Sequence, residues 1–145
     1  MKINDKGFTL VELLAVLAII AIIGMIAIPN VISVMDNNKK DLMIQDAQKM
    51  ISLAKAEIVK DREFRDDPIK NEKTYTLSAI DSKNVVVTDP DGGQYDRSNS
   101  YVKYTKSQGY CVYLEGSKRV IKKAKDSNGC IDEEKLTSRS YVFDK

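Results

Sequence analysis

Histidine and tryptophan are absent from this 145-residue chain, and only two cysteines and three prolines occur. Histidine is the commonest general base and the commonest metal ligand, so its absence removes the usual centre of acid–base catalysis and metal binding. No pairing of a nucleophile with a base is visible in the sequence. We therefore expect no enzyme active site and no cofactor.

An excess of charge of either sign is also missing. The chain has 23 lysines and arginines against 21 aspartates and glutamates, a formal net charge of +2. Net charge alone therefore gives no reason to expect nucleic acid or an acidic substrate as a partner. The length allows one small domain and one long element beside it.

Charged residues are nearly absent from one long stretch close to the N-terminus. Within residues 8–28 only Thr9 and Glu12 are polar. At about 1.5 Å per residue this run gives about 31 Å of helix, which matches a hydrocarbon core of about 30 Å. A secretory signal has a shorter apolar region of about 7–15 residues, so the run predicts a membrane-spanning helix. Lys2 and Lys6 precede it and favour a cytoplasmic N-terminus, with the rest of the chain outside.

The one carboxylate in this run, Glu12, is unfavourable in lipid unless a partner satisfies it. It ends the stretch Gly7-Phe8-Thr9-Leu10-Val11-Glu12, which follows a short charged leader. This stretch resembles the processing motif of type IV prepilins and related pseudopilins. The resemblance implies that a membrane-embedded prepilin peptidase removes residues 1–7 by cutting between Gly7 and Phe8, and that Phe8 is then N-methylated.

The resemblance also implies a partner for Glu12. In the family the equivalent glutamate interacts during assembly with the N-terminal amine of a neighbouring subunit, which here is the amine of Phe8. Opposite charges attract far more strongly in a dry environment than in water, and a buried pair is tolerated where a lone charge is not. The alternative is that Glu12 simply lies near the membrane interface.

The function that the resemblance implies is that of a structural subunit of a type IV pilus, with adhesion or motility as its role. Monomers would wait in the cytoplasmic membrane and join a surface filament with other pilins, assisted by a separate assembly ATPase and platform protein. One alternative is a pseudopilin of a type II secretion or competence DNA-uptake machine. An alternative of another class is a membrane-anchored extracytoplasmic enzyme or binding protein.

The fold expected is α+β, with a long N-terminal helix packed on a small antiparallel sheet. Gly24 and Pro29 weaken the helix locally. Apolar residues then recur at helical spacing, which predicts an amphipathic half. The expected divisions are a leader at 1–7, an apolar helix at 8–35, an amphipathic helix at 36–62, and a β-sheet domain with a C-terminal tail at 63–145.

The C-terminal domain is predicted to hold three to five strands. Residues 62–72 are charged and read as a loop, and 75–80 as a weak strand or a short helical turn. Residues 101–105 and 110–114 alternate in polarity across a short turn, which predicts a hairpin. Further strands are expected at 85–88 and 118–124.

Both cysteines, Cys111 and Cys130, fall in the part expected outside the cytoplasm, where disulfides persist. We expect a bridge between them, with two free thiols as the alternative. Type IV pilins often fix their C-terminal region with a disulfide, so the resemblance extends here, although less specifically.

Two weaker patterns carry competing interpretations. Asp89, Asp91 and Asp96 surround two glycines and offer hard oxygen ligands for calcium, but a turn held by aspartate side chains explains them as well. Five basic residues within eight positions suggest DNA binding, whereas an edge strand protected from aggregation by lysines is the plainer interpretation. These basic residues are Lys118, Arg119, Lys122, Lys123 and Lys125.

Overall fold

The computed structural model describes residues 8–67, 69–127 and 129–145. The predicted leader with Gly7 lies outside these ranges, as do position 68, in the predicted loop at 62–72, and position 128. The chain divides into two compact units, the first ending at Asp36 and the second comprising Asn37–Lys145. Helix α1, Leu10–Lys60, contributes to both units.

The first unit is the apolar half of α1. Its described side chains are exposed as far as Met35, apart from the half-buried Gly24. A helix satisfies its backbone groups internally, as a lipid environment requires. Among the described helices α1 is long and apolar enough to cross a membrane. It continues through Pro29, which has no N–H, and the Asn30 side-chain amide donates to the Ile26 carbonyl at 3.2 Å.

The second unit begins with the amphipathic half of α1. Its buried side chains recur every three or four positions, which places them on one face of the helix. The opposite face carries exposed charged residues, including Lys49 and Lys60. The predicted amphipathic half is thus present, and its buried face consists of Met43, Ile44, Ala47, Met50, Ile51, Ala54 and Ile58.

Within the described residues the sheet has six antiparallel strands in the order β1-β2-β3-β4-β6, with β5 paired to β3. Val102, Val112 and Leu114 are fully buried and join the apolar face of α1 in one core. The fold is therefore α+β, a long helix packed on an antiparallel sheet. The strands are β1 Glu72–Thr76, β2 Tyr101–Thr105, β3 Gly109–Glu115, β4 Arg119–Ile121, β5 Ile131–Asp132 and β6 Val142–Asp144.

Several boundaries differ from the prediction. The predicted loop at 62–72 contains a short helix α2, Arg62–Asp66, which begins because the Asp61 carboxylate accepts from the Phe64 N–H at 3.0 Å. Strand β1 precedes a second short helix α3, Leu77–Ile80, so the stretch at 75–80 holds parts of both. Strands β5 and β6 lie in the tail, so the described part of the chain holds six strands, where three to five were predicted.

The predicted strand at 85–88 is wrong. The Asp81 carboxylate, 1% exposed, accepts from the backbone N–H groups of Val85 at 2.7 Å and Val86 at 2.9 Å. Arg97 pairs with the same carboxylate at 3.1 Å. These bonds occupy the N–H groups that a strand would present to its neighbour, so local side-chain bonding replaces a ladder. Val86 is nevertheless buried in the core.

Cys111 and Cys130 form a disulfide with a Cα–Cα distance of 5.3 Å. Cys111 lies on β3, and Cys130 immediately precedes β5. The bridge therefore fixes the start of the C-terminal segment beside the two residue pairs by which β5 joins β3, Cys111 with Asp132 and Val112 with Ile131.

Candidate functional site

The first turn of α1 is closed by reciprocal hydrogen bonds between Thr9 and Glu12. The Thr9 backbone N–H and hydroxyl each donate to Glu12 Oε2 at 2.8 Å, and the Glu12 N–H donates to Thr9 Oγ1 at 3.3 Å. This is a capping box, in which a threonine before the helix and a glutamate three residues later satisfy backbone donors that the first turn leaves unpaired. Glu12 therefore has a structural role within a single chain.

The capping box leaves half of the carboxylate available. Both Thr9 donors use Oε2, and in the described part of the chain Glu12 Oε1 receives no donor. A carboxylate carries about four lone-pair sites on its two oxygens, so it can accept a further strong donor without losing the cap. A cation beside Oε1 would find a preorganised negative charge.

Phe8 lies next to this cap. Its side chain is 85% exposed, and Leu10 and Val11 beside it are 75% and 73% exposed. The predicted assembly residues Phe8 and Glu12 thus lie at the same end of α1, while Gly7 lies outside the described residues. The Thr-x-x-Glu spacing was visible in the sequence and marks a helix start, but sequence reasoning gave Glu12 only an intermolecular partner.

The surface that follows Glu12 is apolar on every side of the helix as far as Ile28. No charged residue occurs between Glu12 and Asp36, and the large apolar side chains in this interval are 45–77% exposed. A helix that is apolar all round belongs in lipid or among other helices. The first unit therefore presents a continuous surface that needs an apolar environment.

The aspartates considered for calcium are occupied by internal partners. Asp89 accepts from the N–H groups of Asp91 at 2.9 Å and Gly93 at 3.0 Å, and also from Ser117. Burial raises the pKa of Asp89, but the hydrogen bonds from Ser117, Gly93 and Asp91 outweigh it and hold the pKa below its ordinary value. Asp96 accepts from the N–H groups of Ser98 and Asn99, as an Asx turn requires.

Asp91 pairs with Arg119 instead of pointing into an open ligand sphere. Among the residues that the structure describes, no three histidines, cysteines or carboxylates are grouped to hold a metal ion. Local turn bonds account for Asp89 and Asp96, and the pair with Arg119 accounts for Asp91.

The basic run is divided by the fold. Arg119 is 8% exposed and pairs with Asp91 at 2.8 Å and Asp144 at 3.2 Å. The only arginine of the run is thus engaged with internal carboxylates, which leaves lysines for any phosphate backbone. Lys118, Lys123 and Lys125 are exposed, and DNA binding stays a prediction.

Comparison with known families identifies the N-terminal segment. The family model for the prokaryotic N-terminal methylation motif matches residues 2–28, which include the capping box and most of the apolar helix. This chain carries the signature of type IV pilins and pseudopilins. No curated protein and no solved structure matches the chain.

The pilin signature agrees with the geometry of the first unit. Proteins of the pilin family are structural rather than catalytic, and α1 supplies the apolar helix that goes with the methylation motif. The motif also implies processing by a prepilin peptidase and assembly with other pilins. The match ends at residue 28 and does not extend into the β-sheet domain.

Proposed function

We propose that this chain is a structural subunit of a type IV pilus, polymerised through its apolar N-terminal helix, with adhesion or motility as its role. The observation that carries the proposal is the exposed and uncharged first half of α1, apolar on every side as far as Ile28, which starts at a capped glutamate within the methylation motif. Such a surface requires both a lipid environment before assembly and helical neighbours after it.

Before assembly the subunit lies in the cytoplasmic membrane with a single span. Lys2 and Lys6 in the leader favour a cytoplasmic N-terminus, which places the disulfide-bonded domain outside. The functional divisions are a leader at 1–7, a membrane and filament-core helix at 8–35, an amphipathic helix at 36–62 and a sheet domain at 63–145. The division of the structure at Asp36 supports the boundary between anchor and domain.

Cleavage between Gly7 and Phe8 creates the amine that Glu12 needs. The capping box holds Glu12 Oε2, so Oε1 is the atom that accepts the methylated amine of Phe8 from a neighbouring subunit. Within an apolar surround this attraction is little screened, whereas each charge alone would be strongly unfavourable. Pairing therefore favours the register that brings Phe8 of one subunit to Glu12 of the next.

The apolar helices then bury one another in the filament core. Moving from lipid into this core gives little hydrophobic gain, because lipid tails are as apolar as leucine. Close packing and the pairing at Glu12 must supply the specificity, and a separate ATPase with a platform protein supplies the work of extraction. The capped helix start lets one chain wait in the membrane with its carboxylate partly satisfied.

A pseudopilin of a secretion or DNA-uptake machine is the second candidate, because pseudopilins share the methylation motif. Both functions require the same cleavage and the same helix contacts. Electron microscopy of intact cells separates them, since a pilus subunit forms long surface filaments and a pseudopilin forms short ones confined to the envelope.

The processing step is tested by Gly7→Val in cells that contain the prepilin peptidase. We expect the leader to be retained and filaments to be lost. Gly24→Ala is the control for leader removal, because it also replaces a glycine but leaves residues 1–12 unchanged, and a Cβ there meets no other part of the chain within 4 Å. Removal of residues 1–7 from the Gly7→Val chain, or failure of the wild-type chain to form any filament, would overturn the proposal.

A further inference from the structure

Along the part of α1 that belongs to the second unit, ion pairs to the rest of that unit come earlier in the sequence than the first fully buried apolar side chain. Lys39 and Asp41 lie at its N-terminal end, and the first fully buried side chain, Met43, follows them. Both charged residues form ion pairs with distant parts of the second unit. We call these residues and their partners the helix clamp: Lys39, Asp41, Asp91, Arg119 and Arg139.

The first half of the helix clamp is largely buried. Lys39 Nζ lies 3.2 Å from Asp91 Oδ1, and one guanidinium nitrogen of Arg119 lies 2.8 Å from each Asp91 oxygen. The Asp91 side chain is 4% exposed and that of Arg119 10%. Arg119 on β4 also reaches Asp144 on β6 at 3.2 Å. This half therefore links α1 to two neighbouring strands.

The second half is a two-pronged pair on the surface. Arg139 donates from Nε to Asp41 Oδ1 at 2.5 Å and from a second nitrogen to Oδ2 at 2.6 Å. Such fork-shaped pairing fixes geometry as well as distance. The hydrogen bond from Arg139 holds the pKa of Asp41 below its ordinary value, which favours the ionised form of the pair.

These contacts occupy the position where tension enters the domain. A pull applied to α1 from its N-terminal side reaches Lys39 and Asp41 before it reaches the apolar face that begins at Met43. Apolar burial is non-directional and resists sliding weakly until contact area is lost, whereas hydrogen-bonded ion pairs weaken steeply with misalignment. The contacts nearest the point of loading therefore decide when separation begins.

We propose that the helix clamp transmits tension from the filament core into the β4 and β6 edge of the sheet, and sets the force at which α1 begins to separate from the domain. This inference rests on the proposed function, since only a filament places α1 under sustained load. It assigns a mechanical role to residues outside the methylation motif.

The test compares purified filaments stretched between two beads in an optical trap. Lys39→Ala combined with Asp41→Ala removes the links to Asp91 and Arg139 and leaves the buried pair of Asp91 and Arg119 in place. Lys55→Ala is the matched control. Lys55 lies further along the same helix and pairs with Glu133 at 2.5 Å, and this pair is about as exposed as the pair of Asp41 and Arg139. We expect the double variant to begin extending at lower force and the control to behave as the wild type.

A second measurement does not require filaments. Hydrogen exchange on the full chain in detergent micelles should show the amides of residues 39–44 exchanging roughly three- to tenfold faster in the double variant, as expected for losing two ion pairs whose side chains on α1 are partly exposed. The proposed mechanical role of the helix clamp would be overturned if the double variant showed unchanged exchange and an unchanged extension force. It would also be overturned if Lys55→Ala changed them as much as the double variant does. Absence of filaments from the wild-type chain would instead overturn the proposed function.

Discussion

Replacing Cys111 and Cys130 together by alanine tests what fixes the C-terminal segment. The bridge spans 19 positions, and the chain-entropy relation assigns about 3 kcal/mol to a loop of that size. Without it, β5 is joined to β3 by only two residue pairs. Ile131 and Leu136, each 1% exposed, keep the segment in the core, so we expect a destabilised but folded domain.

Thermal unfolding of the full chain in detergent micelles, followed by near-ultraviolet circular dichroism, measures the effect. A loss of about 3 kcal/mol in a domain of this size lowers Tm by roughly 10 to 20 °C. A reductant should produce a similar shift in the wild type and none in the double alanine variant. A fall of less than about 3 °C would refute the reasoning, because it would show that apolar burial alone fixes the segment.

Three further predictions concern the helix start and the loop carboxylates. Glu12→Gln keeps an oxygen for Thr9 but loses the charge, so membrane insertion should be normal and the yield of sheared filaments strongly reduced; a normal yield contradicts the pairing. Thr9→Ala removes the capping hydroxyl and keeps the charge, so filament yield should fall less than in Glu12→Gln, and an equal or larger fall assigns Glu12 chiefly to the cap. Burial raises the pKa of Asp81 and of Asp89, but hydrogen bonds outweigh it, and both pKa values lie below the ordinary 3.8. The stabilisation that these two carboxylates give is therefore complete above about pH 5 and declines as the pH falls below about 4. Acid unfolding followed by circular dichroism measures this decline, and full stability at pH 2 would contradict the prediction.

The helix and the hairpin could be predicted because each has a clear period. The apolar run and the stripe from Met43 to Ile58 specify one helix with two kinds of surface, and the alternation in β2 and β3 specifies a paired ribbon. The bridge between Cys111 and Cys130 was expected from the compartment in which both residues were placed.

The rest depends on contacts that a single sequence does not reveal. Val85 and Val86 have strand-forming side chains, but their N–H groups donate to the Asp81 carboxylate, which comes close to them only in the folded loop. Strands β5 and β6 are two and three residues long, too short for any alternation to appear. Arg119 looked like one of five surface cations and proved to be a buried partner of Asp91.

At the start of α1, by contrast, the sequence contains the local pattern that the structure shows. The capping box is a local pattern, and Thr9 with Glu12 satisfies it at the spacing that such boxes require. The prediction that Glu12 pairs with a neighbouring subunit left its role in the helix cap unrecognised. The two roles are compatible because they use different oxygens of one carboxylate.

Mass spectrometry of the mature chain, taken from cells that contain the prepilin peptidase, tests the central claim most directly. The account predicts a chain that begins at Phe8, carries one methyl group on the Phe8 amine and retains the bridge between Cys111 and Cys130. A mature chain that still carries residues 1–7, or one with an unmodified amine at Phe8, would contradict it.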